Sequence, residues 1–104
     1  MGLTVYWTQF AENKLDDVFS YCCEKAGFTI AQKLVIEIIS KSLYLEKNPL
    51  IGQKELLLTH RIQEFRYLVY KNYKIIYWIN FQKYRIEIIN LFDCRQNPDK
   101  IDEI

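Results

Sequence analysis

The sequence predicts an α+β fold, in which a helical hairpin packs on one face of a small antiparallel β-sheet in the order β-α-α-β-β-β. Three observations lead to this prediction. Apolar residues recur at helical spacing in residues 9–47, the pattern becomes a strand-like alternation after residue 64, and short polar turns separate the alternating segments. A helical hairpin covers the more apolar face of such a sheet, because each layer buries its apolar side against the other.

The first two elements are a strand and a helix. The segment LTVYWT (residues 3–8) is rich in β-branched and aromatic residues, which favours a strand. Thr8 can cap the following helix, since its hydroxyl accepts a hydrogen bond from a free backbone N–H, and Gly27 is suited to end that helix. The apolar face of the helix is predicted to consist of Ala11, Leu15, Val18, Phe19 and Cys22.

A second helix is predicted to start near Thr29 and to stop at NPLIG (residues 48–52), where proline and glycine break it. Its main apolar stripe is predicted to consist of Ile30, Leu34, Ile38, Ser42 and Leu45, and the stripe is widened by Ala31, Val35 and Ile39. The two helices are therefore expected to form a hairpin with a shared apolar seam.

Three alternating segments in the second half of the chain predict an antiparallel meander. The segments are EFRYLVYK (64–71), YKIIYWIN (73–80) and YRIEIINLF (84–92). Asn72 offers a tight turn between the first two segments, and the pair at residues 82–83 offers a second turn. The segment KELLLTHRIQ (54–63) fits neither a helix nor a strand clearly.

Length and composition restrict the classes of function. The 104 residues fit a single domain, residues 1–104, and half of them are hydrophobic, which is enough for a core. The net charge of +1 differs from the strongly basic balance of proteins that rely mainly on phosphate contacts. The chain has three glycines and no glycine-rich phosphate loop, which argues against a nucleotide-binding fold.

Cysteine, histidine and hydropathy patterns predict a soluble cytoplasmic protein. Cys22, Cys23 and Cys94 lack the spacing of a disulfide framework or a structural zinc site, and one histidine with scattered carboxylates makes a metal cluster improbable. The opening MGLTVYWTQF lacks the features of a secretion signal, and no apolar run is long enough to span a bilayer. We expect no metal, no organic cofactor and no membrane partner.

One group of residues has the chemistry of RNA cleavage. If residues 60–66 form one strand, then His60, Ile62, Glu64 and Arg66 share a face. Attack by a 2′-hydroxyl needs a base, an acid and a cation for the phosphorane. Glu64 or His60 could exchange the proton, and Arg66 and Arg95 could hold the phosphate. The alternative is an exposed Glu64–Arg66 pair on the strand with His60 solvated in a loop.

Arg95 lies in FDCRQNP (92–98), directly after the last strand. It either pairs with Asp93 or Asp99, or it contacts a polyanion or an acidic partner. Other basic residues of the same half could form a rim around such a contact: Lys54, Arg61, Lys71, Lys74, Arg85 and Lys100. The residues predicted to bind a target are Lys54, Arg61, Arg66 and Arg95.

Nearly the whole chain, from about Leu3 to Pro98, resembles the RelE/ParE superfamily, the toxins of type II toxin–antitoxin pairs. The resemblance is carried by VYWTQFAENKLDDVFSY, NPLIG, FRYLVYKNYKIIYWI and IEIINLFDCRQNP, in this order and at this spacing. It implies a small sheet with a helical hairpin on one face, in agreement with the pattern above. It also implies a small, often acidic antitoxin protein that wraps the toxin in a hetero-oligomer.

The resemblance leaves two kinds of action open. RelE-like members cut mRNA in the ribosome, and Arg66 and Arg95 match the arginines on which that branch relies. The tail NPDKIDEI lacks the tyrosine or histidine of that branch, and Cys94 stands where some nuclease members hold histidine. We therefore expect a ParE-like toxin that poisons DNA gyrase. The alternatives are a RelE-like ribosome-dependent mRNA endoribonuclease or a repurposed relative, so the sequence does not decide whether the chain is an enzyme.

Overall fold

A computed structural model describes residues 2–102 and confirms the α+β class, with two helices on one face of a mostly antiparallel sheet. The helices are α1 (Gln9–Ala26) and α2 (Phe28–Leu43). The strands are β1 (Thr4–Trp7), β2 (Gln53–Lys54), β3 (Arg66–Tyr70), β4 (Tyr73–Asn80) and β5 (Arg85–Asp93). Single 3₁₀ turns occupy Tyr44–Glu46, Leu56–Leu58 and Pro98–Asp102.

The strand order is β1-β5-β4-β3-β2, so the meander forms the centre of the sheet. β1 pairs with β5 in parallel, with Thr4 opposite Arg85 and Trp7 opposite Ile88, whereas all other pairs are antiparallel. The predicted sheet had four strands and no parallel pair. Alternation within a segment identifies a strand but not its neighbour, and the two-residue β2 is too short to show alternation.

The ends of the helices follow the predicted chemistry. The Thr8 hydroxyl accepts a hydrogen bond from the Ala11 N–H at 3.3 Å and donates one to the Ile88 carbonyl at 3.1 Å. The same side chain therefore caps α1 and ties it to β5. Gly27 ends α1 with φ of 95°, a backbone conformation that side chains disfavour, and it alone connects α1 to α2.

The main core lies between the helical hairpin and the sheet. Its buried members are Ala11, Ile38, Leu45, Tyr73, Ile75, Tyr77, Ile86, Ile88 and Leu91. Placing Ile30 on the buried stripe of α2 was wrong, because this residue is 56% exposed, whereas Ala31, predicted to widen the stripe, is fully buried. The buried positions 31, 38 and 45 recur every seven residues, so the true stripe is shifted by one residue at its start.

A second apolar cluster covers the other face of the sheet, which the sequence pattern did not predict. Its buried members are Leu58, Phe65, Ile76, Phe92 and Ile101. Leu58 and Ile101 come from two of the 3₁₀ turns, so short irregular segments cover this face in place of helices. At its margin the buried Glu55 carboxylate pairs with the Lys74 ammonium at 2.8 Å.

The Tyr77 hydroxyl holds the segment that leads from α2 back to the sheet. It donates a hydrogen bond to the Pro49 carbonyl at 2.8 Å and accepts one from the Gly52 N–H at 3.0 Å. Burial raises the pKa of this phenol, so it stays protonated and able to donate. A Cβ at Gly52 would lie 2.5 Å from the Tyr77 hydroxyl oxygen and 2.8 Å from the Tyr67 carbonyl oxygen.

The substitution Gly52→Ala is expected to lower the free energy of unfolding by about 2–3 kcal/mol, because the new methyl group meets a buried ring and backbone.

The substitution Tyr77→Phe is expected to lower the free energy of unfolding by about 1–3 kcal/mol, since the Gly52 N–H loses its acceptor. Urea unfolding followed by circular dichroism measures both changes.

Gly2→Ala is the matched control, because a Cβ there meets no atom within 4 Å. It should change the free energy of unfolding by less than about 0.5 kcal/mol. Equal stability of the Gly52→Ala and Gly2→Ala proteins would contradict the close packing of residues 48–52 on Tyr77.

Candidate functional site

The predicted site residues lie in two separate places. We call the four residues near the start of β3 the loop cluster: Lys54, Arg61, Glu64 and Arg66. Arg95 lies beyond β5, beside the turn between β3 and β4, since the neighbouring Cys94 N–H donates to the Asn72 carbonyl at 2.7 Å. The two places are the opposite ends of the β3–β4 pair.

The expectation that residues 60–66 form one strand is wrong. β3 begins at Arg66, and residues 59–63 form turns and bends. The chain turns here because Leu58 enters the second apolar cluster, and the Arg61 N–H then donates to the Leu58 carbonyl at 3.1 Å. His60 is consequently not on a strand face with Glu64 and Arg66.

Arg66 is bound mainly within the protein. Its Nη1 donates to the Gly52 carbonyl at 2.8 Å and to the Leu50 carbonyl at 3.4 Å, and its Nη2 pairs with Glu64 Oε2 at 3.0 Å. The side chain is 17% exposed. Lys54 Nζ lies 3.4 Å from the other oxygen of Glu64. Arg66 therefore fastens residues 48–52 to the sheet, and Glu64 is engaged by a cation at each oxygen.

A cavity of about 250 Å³ adjoins the loop cluster. Lys54, Arg61 and Glu64 line it, but neither His60 nor Arg66 does. The structure therefore brings together three of the predicted residues at this cavity, and His60 and Arg66 are not among them. Their role in catalysis or target binding stays a prediction.

Arg95 is held by Asp93 in a bidentate pair. The Arg95 Nε lies 3.0 Å from Asp93 Oδ1 and its Nη2 lies 2.8 Å from Oδ2, while the Arg95 backbone N–H also donates to Oδ1. The Asn72 amide donates to the same oxygen at 3.1 Å. The Arg95 side chain is still 61% exposed, so the pair orients a cation that faces outward.

These contacts shift the pKa values of the neighbouring groups. The Arg95 side chain and backbone, helped by Asn72, lower the pKa of the Asp93 carboxyl from 3.8 to about 2. Asp93 in turn raises the pKa of Arg95. Burial, followed by the negative charge of Asp93, raises the pKa of the Tyr73 phenol. At neutral pH the group is therefore an ionised Asp93–Arg95 pair beside a protonated phenol.

Arg95 opens onto a surface feature that we call the end groove. It consists of two adjoining cavities of about 360 and 570 Å³, and Tyr21, Tyr73 and Arg95 line both. The larger cavity lies between the facing parts of the two helices and the β3–β4 turn. Its other polar lining residues are Lys25, Lys33, Glu37, Lys71 and Asn72.

The structure places Arg66 and Arg95 apart, at opposite ends of the β3–β4 pair, and their predicted joint action on a phosphate stays a prediction. Arg66 pairs with Tyr77, whereas Asp93 pairs with Tyr73, four residues earlier on β4. Four residues of strand span about 13 Å. The two arginines also have different surroundings, since Arg66 faces backbone carbonyls and Arg95 faces the end groove.

Metal-binding clusters and membrane-spanning helices are absent from residues 2–102. No group of three histidine, cysteine or acidic residues in that range is arranged to hold a metal ion. No helix within it has the length and apolar character needed to cross a membrane. The three cysteines are unpaired, and burial raises the pKa of the Cys94 thiol, which disfavours its reactive thiolate.

Sequence reasoning identified Arg95 but missed the end groove. Lys25 and Lys33 lie on different helices, and Lys71 lies in a turn, so their proximity arises only from the packing of the hairpin on the sheet. Tyr21 has apolar character but lies outside the predicted apolar face of α1. No local signal in the sequence joins these residues.

Comparison with known proteins identifies a family and a fold. The sequence profile of the ParE toxin of type II toxin–antitoxin systems, parDE, matches residues 5–98. A solved structure of the chromosomal ParDE toxin–antitoxin system from P. aeruginosa aligns with a TM-score of 0.73 at 17% sequence identity. The alignment covers 88% of this chain and 95% of that chain, and at this identity it shows the fold alone. No curated protein matches the sequence.

The substitution Asp93→Asn should lower the free energy of unfolding at pH 7 by about 1 kcal/mol, because it removes the charge that Arg95 and Asn72 bind. The pKa of Asp93 is lower in the folded chain, so its stabilising effect is complete above about pH 4 and is lost as the pH falls towards 2. Urea unfolding at pH 7 and near pH 3 should show the difference between the two proteins shrinking in acid.

Asp99→Asn is the control for this pH series, since the Asp99 side chain makes no hydrogen bond or ion pair within residues 2–102. Its difference from the parent chain should stay small and constant with pH. A pH-independent cost of Asp93→Asn would show that the carboxylate charge contributes nothing.

Proposed function

Since this chain belongs to the ParE toxin family of type II toxin–antitoxin systems, we propose that it stops growth by poisoning DNA gyrase in the cytoplasm. We also propose that a small cognate antitoxin neutralises it by binding in a hetero-oligomer. The observation that carries the proposal is the family match over residues 5–98. The fold shared with a ParDE structure supports it.

The arrangement of the arginines supports gyrase as the target over mRNA in the ribosome. Nuclease chemistry needs a proton-transfer group and cations that converge on one phosphate. Here Arg66 is bound to carbonyl oxygens and to Glu64, and Arg95 lies at the other end of the β3–β4 pair. His60 lies on a turn outside β3. A toxin that traps an enzyme by binding needs no such convergence.

An apolar surface on the hairpin supports an antitoxin partner. Phe28, Ile36 and Leu43 are each at least half exposed, and their spacing of about two helical turns places them along one side of α2. Exposed apolar rows of this kind suit the apolar face of an amphipathic helix. An antitoxin segment that covers this row would remove it from water.

The proposal predicts that the purified chain inhibits gyrase supercoiling or causes gyrase-dependent DNA breaks. The exposed cation that we expect to contact the target is Arg95, so Arg95→Ala should raise the toxin concentration needed for half inhibition by about tenfold. Lys83→Ala removes the same charge from an exposed turn and should behave like the parent chain. Circular dichroism confirms that each variant is folded.

Supercoiling that stays unchanged at excess toxin would contradict the proposal. Primer extension on cellular mRNA after induced expression provides the complementary measurement. Cuts at ribosomal positions together with normal supercoiling would identify a RelE-like nuclease. Normal growth after induction would show that the chain is not a toxin.

A further inference from the structure

The larger cavity of the end groove concentrates positive charge. Lys25, Lys33, Lys71 and Arg95 line it together with one carboxylate, Glu37, and the Asp93 carboxylate pairs with Arg95 beside it, in a chain whose net charge is only +1. Charges around one cavity reinforce each other, because salt screens them only beyond about 8 Å. The cavity is therefore suited to an anionic group.

The same cavity also has apolar walls. Leu34 is half-buried, and Ile30 is exposed to 56% although isoleucine favours burial. The rings of Tyr21 and Tyr73 complete the lining. A ligand that places an aliphatic side chain against Ile30 and Leu34 would remove this surface from water. The cavity thus fits a ligand with an apolar body and negative charges around it.

One cation is held in place before any ligand arrives, and a second lies on a constrained turn. Arg95 is fixed by the bidentate contact with Asp93, which Asn72 also binds. Lys71 lies in the β3–β4 turn with φ of 55°, a conformation that few residues other than glycine and asparagine adopt readily. Cations on a fixed backbone lose less conformational entropy on binding than cations on mobile segments.

We propose that the end groove binds an acidic peptide segment, in which carboxylates pair with Lys33, Lys71 and Arg95 and an aliphatic side chain packs on Ile30 and Leu34. Resting on the proposed function, we assign this segment to the antitoxin. Its binding covers Arg95, the residue expected to contact the target, so neutralisation follows from direct competition for one cation.

A peptide fits the groove better than a nucleic acid does. A nucleic-acid strand needs cations spaced along its phosphates, and usually exposed aromatic rings on which its bases stack. Here the cations surround one cavity and the chain as a whole is nearly neutral. The aliphatic walls suit a leucine, isoleucine or valine side chain. Tyr73 is a buried core residue, which leaves the half-exposed Tyr21 as a single ring, too few for successive bases to stack on.

The test uses random peptides of about 12 residues displayed on phage and selected on the immobilised chain at near-physiological salt. We expect the enriched sequences to contain at least two acidic residues beside an aliphatic one. Their synthetic forms, measured by fluorescence anisotropy, should lose about tenfold in affinity with Lys33→Glu or Lys71→Glu. Lys83→Glu and Lys47→Glu, exposed positions outside the end groove, should bind like the parent chain.

Several outcomes would overturn the inference. These are enriched peptides without acidic residues, equal losses in both pairs of variants, and the failure of any peptide to be enriched. Stronger binding of a thymidine oligonucleotide with the same dependence on Lys33 and Lys71 would assign the groove to nucleic acid. Lys71→Gln, which removes the charge without reversing it, should give a smaller loss, and thermal unfolding verifies that all variants are folded.

Growth arrest by the same variants separates this inference from the proposed function. A chain that inhibits gyrase while its groove takes no acidic peptide overturns the inference alone. A chain whose groove binds acidic peptides without inhibiting growth or gyrase overturns the proposed function alone.

Discussion

The helical hairpin rejoins the sheet through residues 48–52, and the buried Tyr77 hydroxyl determines where that segment lies. The hydroxyl binds the Pro49 carbonyl and the Gly52 N–H, and the absent side chain at Gly52 makes room for the ring. The Gly52 carbonyl then faces Arg66, which binds it at 2.8 Å. One phenol thus organises the segment on which the position of α2, the start of β3 and the orientation of Arg66 depend.

The two arginines that match the RelE-like branch of the family lie at opposite ends of the β3–β4 pair. Arg66 satisfies backbone carbonyls at one end of the β3–β4 pair, where a buried, unpaired acceptor would be costly. Arg95 pairs with Asp93 at the other end but stays open to solvent. The first arginine serves the fold, and the second stays exposed beside the end groove. In the sequence both residues are simply arginines, because residue type alone does not show which groups a guanidinium binds.

The sequence predicted those parts of the fold that depend on local chemistry. The Thr8 cap, the Gly27 stop and the three strands of the meander follow from hydrogen bonding, backbone freedom and side-chain alternation. The errors arise where distant parts of the chain decide the outcome. Leu58 is buried on the second face of the sheet, and residues 59–63 turn there and do not continue as a strand. The parallel pairing of β1 with β5 joins segments that are far apart in the sequence.

The candidate site shows the same division. Arg95 and its pairing with Asp93 could be predicted, since two residues of spacing bring them within reach. The end groove could not, because Lys25, Lys33 and Lys71 come from three elements that meet only after the hairpin has packed. A cluster of cations that come from separate elements leaves no periodic pattern and no motif in the sequence.

Ile101 has a consequence for how the chain can change over evolutionary time. Its side chain is 1% exposed and lies on Phe92 and Ile76, with the last 3₁₀ turn around it. Ile101 therefore completes the second face of the sheet, and the exposed residues 94–100 connect it to β5. Substitution of Ile101 is therefore limited by the apolar cluster that it completes. A related sequence that lacks this residue needs another apolar side chain to cover Phe92 and Ile76.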